Sequence, residues 1–250
     1  MTNARNGDYV DAGGLRTYYE VAGGGSPLLL LHGGMCPVET FDGLTPLLAA
    51  RHRVYLPERR GHGRTPDVEG PMTFAIMAAD TIAFVEALGL EEVDCVGWSD
   101  GAAVALRVAL RRADLVRRLV LIGQPLNSAS VDASAKSELR EQGINVLPPF
   151  LRDLYGAVSP DGPEHFERVF EKLSPNWLSD EELELADLKA VQAPTLVMAG
   201  EQDLLTSHHA AEMRDALPDG RLEIVAGASH ALPMEQPDVT SRLVLDFLAG

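Results

Sequence analysis

The chain has 250 residues, 46% of them apolar, and 37 acidic against 21 basic side chains give it a formal charge of −16. That apolar content suffices for one core that buries about three quarters of the unfolded surface, so no disulfide or partner is needed to fold. The strong negative charge repels phosphate backbones and anionic membranes, which argues against nucleic-acid and lipid-headgroup binding.

Residues 1–15 are polar and glycine-rich, without the basic start and apolar run of a signal peptide. Residues 15–21 follow a Gly13-Gly14 turn and are rich in β-branched and aromatic side chains, which predicts an early hairpin. Gly23-Gly24-Gly25-Ser26-Pro27 breaks the chain, and residues 28–31 are four consecutive leucines. Such a run is the pattern of a strand buried on both faces and is far too short to span a bilayer.

Helical spacing follows over 38–50, then a strand over 52–56. A long amphipathic helix is predicted over 73–88, with Phe74, Met77, Ile82, Val85 and Leu88 on its buried side and Gly89 as its stop. Strands at 93–96, 119–122, 195–199 and 222–226 alternate with helices at 100–111, 207–217 and 238–249. This alternation implies an α/β fold with a mostly parallel sheet covered on both faces.

Residues 124–193 break the rhythm. They lack a buried-strand pattern and carry prolines at 125, 148, 149, 160, 163 and 175. Seventy residues are too many for a structureless connection, so they read as a small helical insertion over one edge of the sheet. Cys36 and Cys95 form neither a disulfide framework nor a metal site, and as reduced thiols they suggest a cytoplasmic protein.

Gly97-Trp98-Ser99-Asp100-Gly101 matches G-x-S-x-G directly between a predicted strand and a predicted helix. In that context the serine stands on a tight turn with the helix N-terminus behind it, where negative charge is favoured. A serine hydroxyl needs a base, and His230 follows the last predicted strand. Asp203, on the loop after 195–199, is the acid that would orient it, with Glu201 a weaker alternative. The backbone N–H of Asp100 would be one oxyanion donor; the second would come from Gly34 or Met35 in the His32-Gly33-Gly34-Met35 loop.

These residues, with Arg60-Gly61-His62-Gly63, occur in the order of the α/β-hydrolase superfamily, which the chain resembles from about residue 15 to its end. The resemblance implies a mostly parallel eight-stranded sheet formed by residues 1–123 and 194–250, a lid formed by 124–193, and chemistry that requires no cofactor or metal. The Gly-Trp-Ser-Asp-Gly elbow resembles the valacyclovir-hydrolase-like, amino-acid-ester-cleaving branch; small bacterial esterases and cofactor-free haloperoxidase-like enzymes have similar layouts. Family members often carry Asp where Glu58 stands and Ser where Thr65 stands, and both departures keep the functional group. A serine rather than an aspartate at the elbow argues against epoxide hydrolase and haloalkane dehalogenase chemistry.

Other polar residues invite blander readings. His208-His209 point in different directions on a helix and lack a third ligand, and His32 and His62 read as structural hydrogen-bonding residues. Asp100 is either an early helix residue complementing the helix dipole or a carboxylate that attracts a substrate ammonium group. Phe150, Tyr155, Phe166, Phe170 and Trp177 either wall an acyl pocket or form the insertion's own core.

The expected function is hydrolysis of a small to medium carboxylic ester or lactone through an acyl-enzyme on Ser99. Aminoacyl ester or amide hydrolysis and peptidase activity form the second reading. Carbon–carbon bond hydrolysis and perhydrolysis use a similar triad. A non-catalytic receptor for a small ligand is the alternative of a different class.

Overall fold

The four leucines at 28–31 are fully buried because the strand that holds them, β3 (Ser26–Leu31), lies inside an eight-stranded sheet. A computed structural model describes residues 7–124, 126–127, 131–178 and 183–250. Pro125, the first six residues of the polar N-terminus and parts of the 124–193 segment lie outside the described residues.

The chain opens with the expected hairpin, β1 (Gly7–Ala12) and β2 (Leu15–Ala22), which joins the sheet antiparallel to β4 (His52–Pro57). The remaining strands are β5 (Val93–Trp98), β6 (Val116–Ile122), β7 (Thr195–Gln202) and β8 (Gly220–Ser229). Their order is β1-β2-β4-β3-β5-β6-β7-β8, parallel from β4 onward. Parallel strands need crossovers, and the helices that supply them cover the sheet. The carboxyl ends of β5, β7 and β8 therefore lie together, and the loops that leave them meet there.

Residues 38–50 differ from expectation. They form a 3-10 turn at Val38–Phe41 and a separate short helix, α1 (Thr45–Ala49). Pro46 explains the break: its ring and missing N–H are tolerated only in a helix's first turn, so the helix must restart at Thr45.

Helix α2 (Phe74–Ala87) starts where the sequence predicts, with Thr73 accepting the N–H of Ile76 at 3.2 Å. Phe74, Met77 and Val85 are buried, but Ile82 and Leu88 are only half-buried, and Thr81 and Phe84 take the inner positions instead. Thr81 can be buried because its hydroxyl donates to the carbonyl of Met77 at 2.8 Å. Gly89 ends the helix region with a φ of +65°.

Helix α3 (Asp100–Arg111) buries Gly101, Ala102, Ala103 and Ala105, and Gly101 lies directly against the sheet. A Cβ on Gly101 would stand 2.1 Å from the Leu31 carbonyl oxygen, so no larger residue permits this approach.

Between β6 and β7 the described residues form α4 (Ala133–Gln142), α5 (Pro149–Val158), α6 (Phe166–Leu173) and several 3-10 turns. Tyr155, Phe166, Val169 and Leu173 are buried among them. After α7 (Ser207–Ala216), a one-turn helix α8 (Leu232–Glu235) precedes the closing helix α9 (Pro237–Ala249).

Leu29 pairs with Tyr55 on one side and Cys95 on the other and is fully buried, so its truncation leaves a cavity at the centre of the sheet. Leu29→Ala is expected to lower the unfolding free energy by about 2–5 kcal/mol, measured by urea denaturation.

Candidate active site

Ser99 occupies the sharp turn between β5 and α3 with φ +54°, one of two described non-glycine residues in the left-handed region. That conformation costs on the order of 1–3 kcal/mol and persists only where its surroundings enforce it. Ser99 N–H donates to Ile122 at 2.8 Å, and Ala102 and Ala103 N–H close onto the Ser99 carbonyl at 2.8 and 3.1 Å. A Cβ on Gly97 would lie 2.4 Å from the Gly101 carbonyl oxygen, so the turn closes only around hydrogen there.

His230 directly follows β8, and Asp203 directly follows β7. His230 Nε2 lies 2.9 Å from Ser99 Oγ, and His230 Nδ1 lies 2.7 Å from Asp203 Oδ1. Burial alone would raise the Asp203 carboxyl. The His230 hydrogen bond and charge, with N–H donation from Leu205 and Gly200, outweigh it and hold the carboxyl below its ordinary range. An ionised Asp203 only accepts, so Nδ1 of His230 carries the proton and Nε2 is free to accept from the serine. Glu201, the weaker candidate for the acid, is exposed and accepts the N–H of Gly227 instead.

Two further residues fix this arrangement. Gly123, just after β6, has φ +61°, and a Cβ there would lie 3.0 Å from His230 Nδ1 and 3.1 Å from Asp203 Oδ2. Trp98 donates its indole N–H to the His230 carbonyl at 2.8 Å. Neither was expected from sequence; a glycine directly after a buried strand was the available signal for Gly123.

The 32–36 loop carries the other positive-φ residue, Met35 at +59°, in a tight turn closed by Cys36 N–H onto the Gly33 carbonyl at 3.4 Å. Gly34 lines the cavity beside Ser99, whereas Met35 is buried and is not in its lining. A side chain at 34 would strike the Asp100 carboxylate and Trp177. His32 Nε2 accepts the backbone N–H of Arg59 at 3.1 Å, so Nδ1 is protonated and donates to the Gly33 carbonyl at 2.8 Å. Burial, with Arg59 adding, lowers the His32 pKa well below its ordinary value and keeps the ring neutral. His62 hydrogen-bonds the Arg60 carbonyl, and burial pushes its pKa down to about 3. Both rings build the loops under the cavity.

Glu58 is fully buried, accepts Val38 N–H at 3.1 Å and pairs with Arg64, and Thr65 Oγ1 accepts Tyr18 N–H at 2.9 Å. The functional groups kept at these two positions thus tie loops to the sheet.

A cavity of about 470 Å³ opens above Ser99 and His230. Phe150 and Trp177, both expected as pocket residues, line it. Tyr155 does not; it is buried against Phe166 with ring centroids 5.4 Å apart, in the packing of the helical segment itself. Asp100 is buried at the cavity edge, with Oδ1 accepting the indole N–H of Trp177 at 2.9 Å. Its Oδ2 has no hydrogen-bond partner among the described residues. Burial raises the Asp100 pKa, opposed by Arg59 and the Trp177 hydrogen bond.

His208 is exposed, and His209 is paired with Glu212. No described helix is long and apolar enough to cross a membrane.

Comparison with known proteins agrees with this architecture. A serine hydrolase of Mus musculus is 27% identical, covering 96% of this chain and 85% of its own. The 2-hydroxymuconate semialdehyde hydrolase of Pseudomonas putida is also 27% identical, over 95% of this chain and 92% of that protein. The crystal structure of a serine hydrolase involved in carbazole degradation superposes with a TM-score of 0.83 at 24% identity, covering 98% and 99% of the two chains. The family model described as the alpha/beta hydrolase family matches residues 28–243, from the central strand into the closing helix. With sheet order and elbow in agreement with that match, the chain belongs to the alpha/beta hydrolase family.

Proposed function

We propose that this protein is a serine hydrolase of small to medium carboxylic esters or lactones. The carrying observation is the continuous Ser99–His230–Asp203 hydrogen-bond chain, 2.9 and 2.7 Å long, at the floor of a cavity of substrate size. His230 Nε2 takes the Ser99 proton as Oγ attacks the carbonyl carbon. The tetrahedral oxyanion is received by the N–H groups of Asp100 and Gly34; lining of the cavity by Gly34 favours it over Met35. His230 returns the proton to the leaving group, an acyl-enzyme remains, and water activated by His230 releases the acid. Asp203 holds the imidazole in the productive tautomer and stabilises its cationic form. The mechanism requires no cofactor or metal.

Residues 124–193 act as a lid that sets substrate size, with Phe150 and Trp177 on its inner side. The buried free thiols Cys36 and Cys95 fit a reducing, cytoplasmic setting.

A second reading, aminoacyl ester or amide hydrolysis, is favoured by one observation: Asp100 Oδ2, at the edge of the cavity, has no hydrogen-bond partner among the described residues. A buried carboxylate oxygen without a donor is costly, and a substrate ammonium would relieve that cost.

Wild type is expected to hydrolyse members of a panel of p-nitrophenyl esters and lactones and to be labelled by a fluorophosphonate. Ser99→Ala should lose about a millionfold in kcat and all labelling, and Asp203→Asn about ten-thousandfold in kcat. A folded wild type that cleaves nothing and resists the phosphonate would instead favour the non-catalytic receptor. Asp100→Asn should lower kcat/KM for a cationic aminoacyl ester by about tenfold or more, without loss on its neutral counterpart; equal losses on both would remove the ammonium reading.

A further inference from the structure

Arg59 is buried, yet its guanidinium faces backbone rather than solvent. Nη1 donates to the His32 carbonyl, and Nη2 donates to the Gly33 carbonyl at 3.1 Å. The Gly33 oxygen also accepts His32 Nδ1–H at 2.8 Å and Cys36 N–H at 3.4 Å, so one carbonyl receives three donors, one of them cationic.

That carbonyl and the N–H of Gly34 belong to the same peptide unit. Hydrogen bonds to the oxygen of an amide withdraw electron density from its nitrogen and make its N–H a stronger donor. The buried cation therefore acts on the donor aimed at the reacting carbonyl, from the side remote from substrate. Charge is the second part of the case. Asp100 follows the nucleophile and carries a buried carboxyl group with one oxygen that has no hydrogen-bond partner among the described residues, within electrostatic reach of Arg59. The ionised form of that carboxyl, hydrogen-bonded at Oδ1 by Trp177, opposes an oxyanion forming beside it, and a buried cation on the other side of the loop offsets that opposition.

We infer that Arg59 is a positioning residue that polarises the Gly33–Gly34 peptide and balances the Asp100 charge, strengthening oxyanion stabilisation without touching substrate. The inference rests on the acyl-transfer reading of Ser99 and the assignment of Gly34 as donor.

The test uses a neutral p-nitrophenyl ester, a matched trifluoromethyl ketone and the corresponding alcohol, at pH 8. The ketone reports the oxyanion: Ser99 Oγ bonds to its carbonyl carbon, the serine proton passes to His230, and the former carbonyl oxygen becomes the alkoxide. The alcohol binds without forming that adduct. Arg59→Met is expected to lower kcat about tenfold or more, with KM within about threefold and ketone affinity falling in parallel. Alcohol affinity should stay unchanged, and Arg59→Lys, which keeps the cation, should recover part of the loss. Wild-type kcat and ketone affinity in a folded Arg59→Met protein would overturn the inference. So would equal weakening of ketone and alcohol, which marks a collapsed loop.

Should Arg59→Met fail to fold, Asp100→Asn carries the test. Removing the opposing anion should tighten the ketone several-fold and leave the alcohol unchanged, whereas unchanged or weaker ketone binding would overturn the inference. A wild type that forms no ketone adduct and shows no turnover identifies a different failure, that of the acyl-transfer reading itself.

Discussion

The close approach of helix α3 to the carboxyl ends of β3 and β5 is the constraint on which the rest depends. It requires hydrogen at position 101, where a Cβ would meet the Leu31 carbonyl oxygen at 2.1 Å, and hydrogen at position 97, where a Cβ would meet Gly101. Given that approach, the turn has room for one residue in a strained conformation, and Ser99 takes it. The strain lifts the hydroxyl clear of the sheet and leaves the first N–H groups of the helix behind it, where developing negative charge is favoured. Packing of the core and presentation of the Ser99 hydroxyl are thus the same requirement, met by the glycines at 97 and 101.

The electrostatics of the site run against those of the whole molecule. A chain with formal charge −16 keeps a neutral histidine pair and a buried arginine beneath its 32–36 loop. The cation is held by the backbone carbonyls of His32 and Gly33, with the Asp100 carboxyl within electrostatic reach. On the opposite side Asp203 is buried with His230 and two backbone N–H groups. The imidazole therefore sits between an ionised partner and the serine, an arrangement suited to gaining and losing one proton repeatedly.

Much of this was legible in the sequence because the decisive features are local. Buried parallel strands read as apolar runs, uninterrupted at residues 28–31 and broken only by Asp94 at 93–96, and the elbow is a five-residue pattern between a strand and a helix. Asp203 and His230 could be chosen because the strand that precedes each was readable. What remained illegible depends on tertiary partners. Arg59 looks like a surface charge until the carbonyls of residues 32 and 33, 27 and 26 positions away, are brought to it. Gly34 and Met35 could not be separated because the positive φ of Met35 is imposed by the turn, against the preference of its residue type. Tyr155 and Phe150 lie on one short helix, and only the packing of that helix decides that one is buried while the other faces the cavity. The interrupted stretch at 38–50 was readable in principle, since Pro46 stands inside it.

The central claim is that Ser99 becomes covalently acylated during turnover. Acid-quenching the reaction with a p-nitrophenyl ester within milliseconds, followed by mass spectrometry of the intact protein and its peptides, addresses it directly. The account predicts a burst of p-nitrophenol approaching one equivalent and an acyl mass increment confined to the peptide that contains Ser99. Sustained turnover with no protein-bound acyl group at any quench time, or an increment on a different residue, would contradict it.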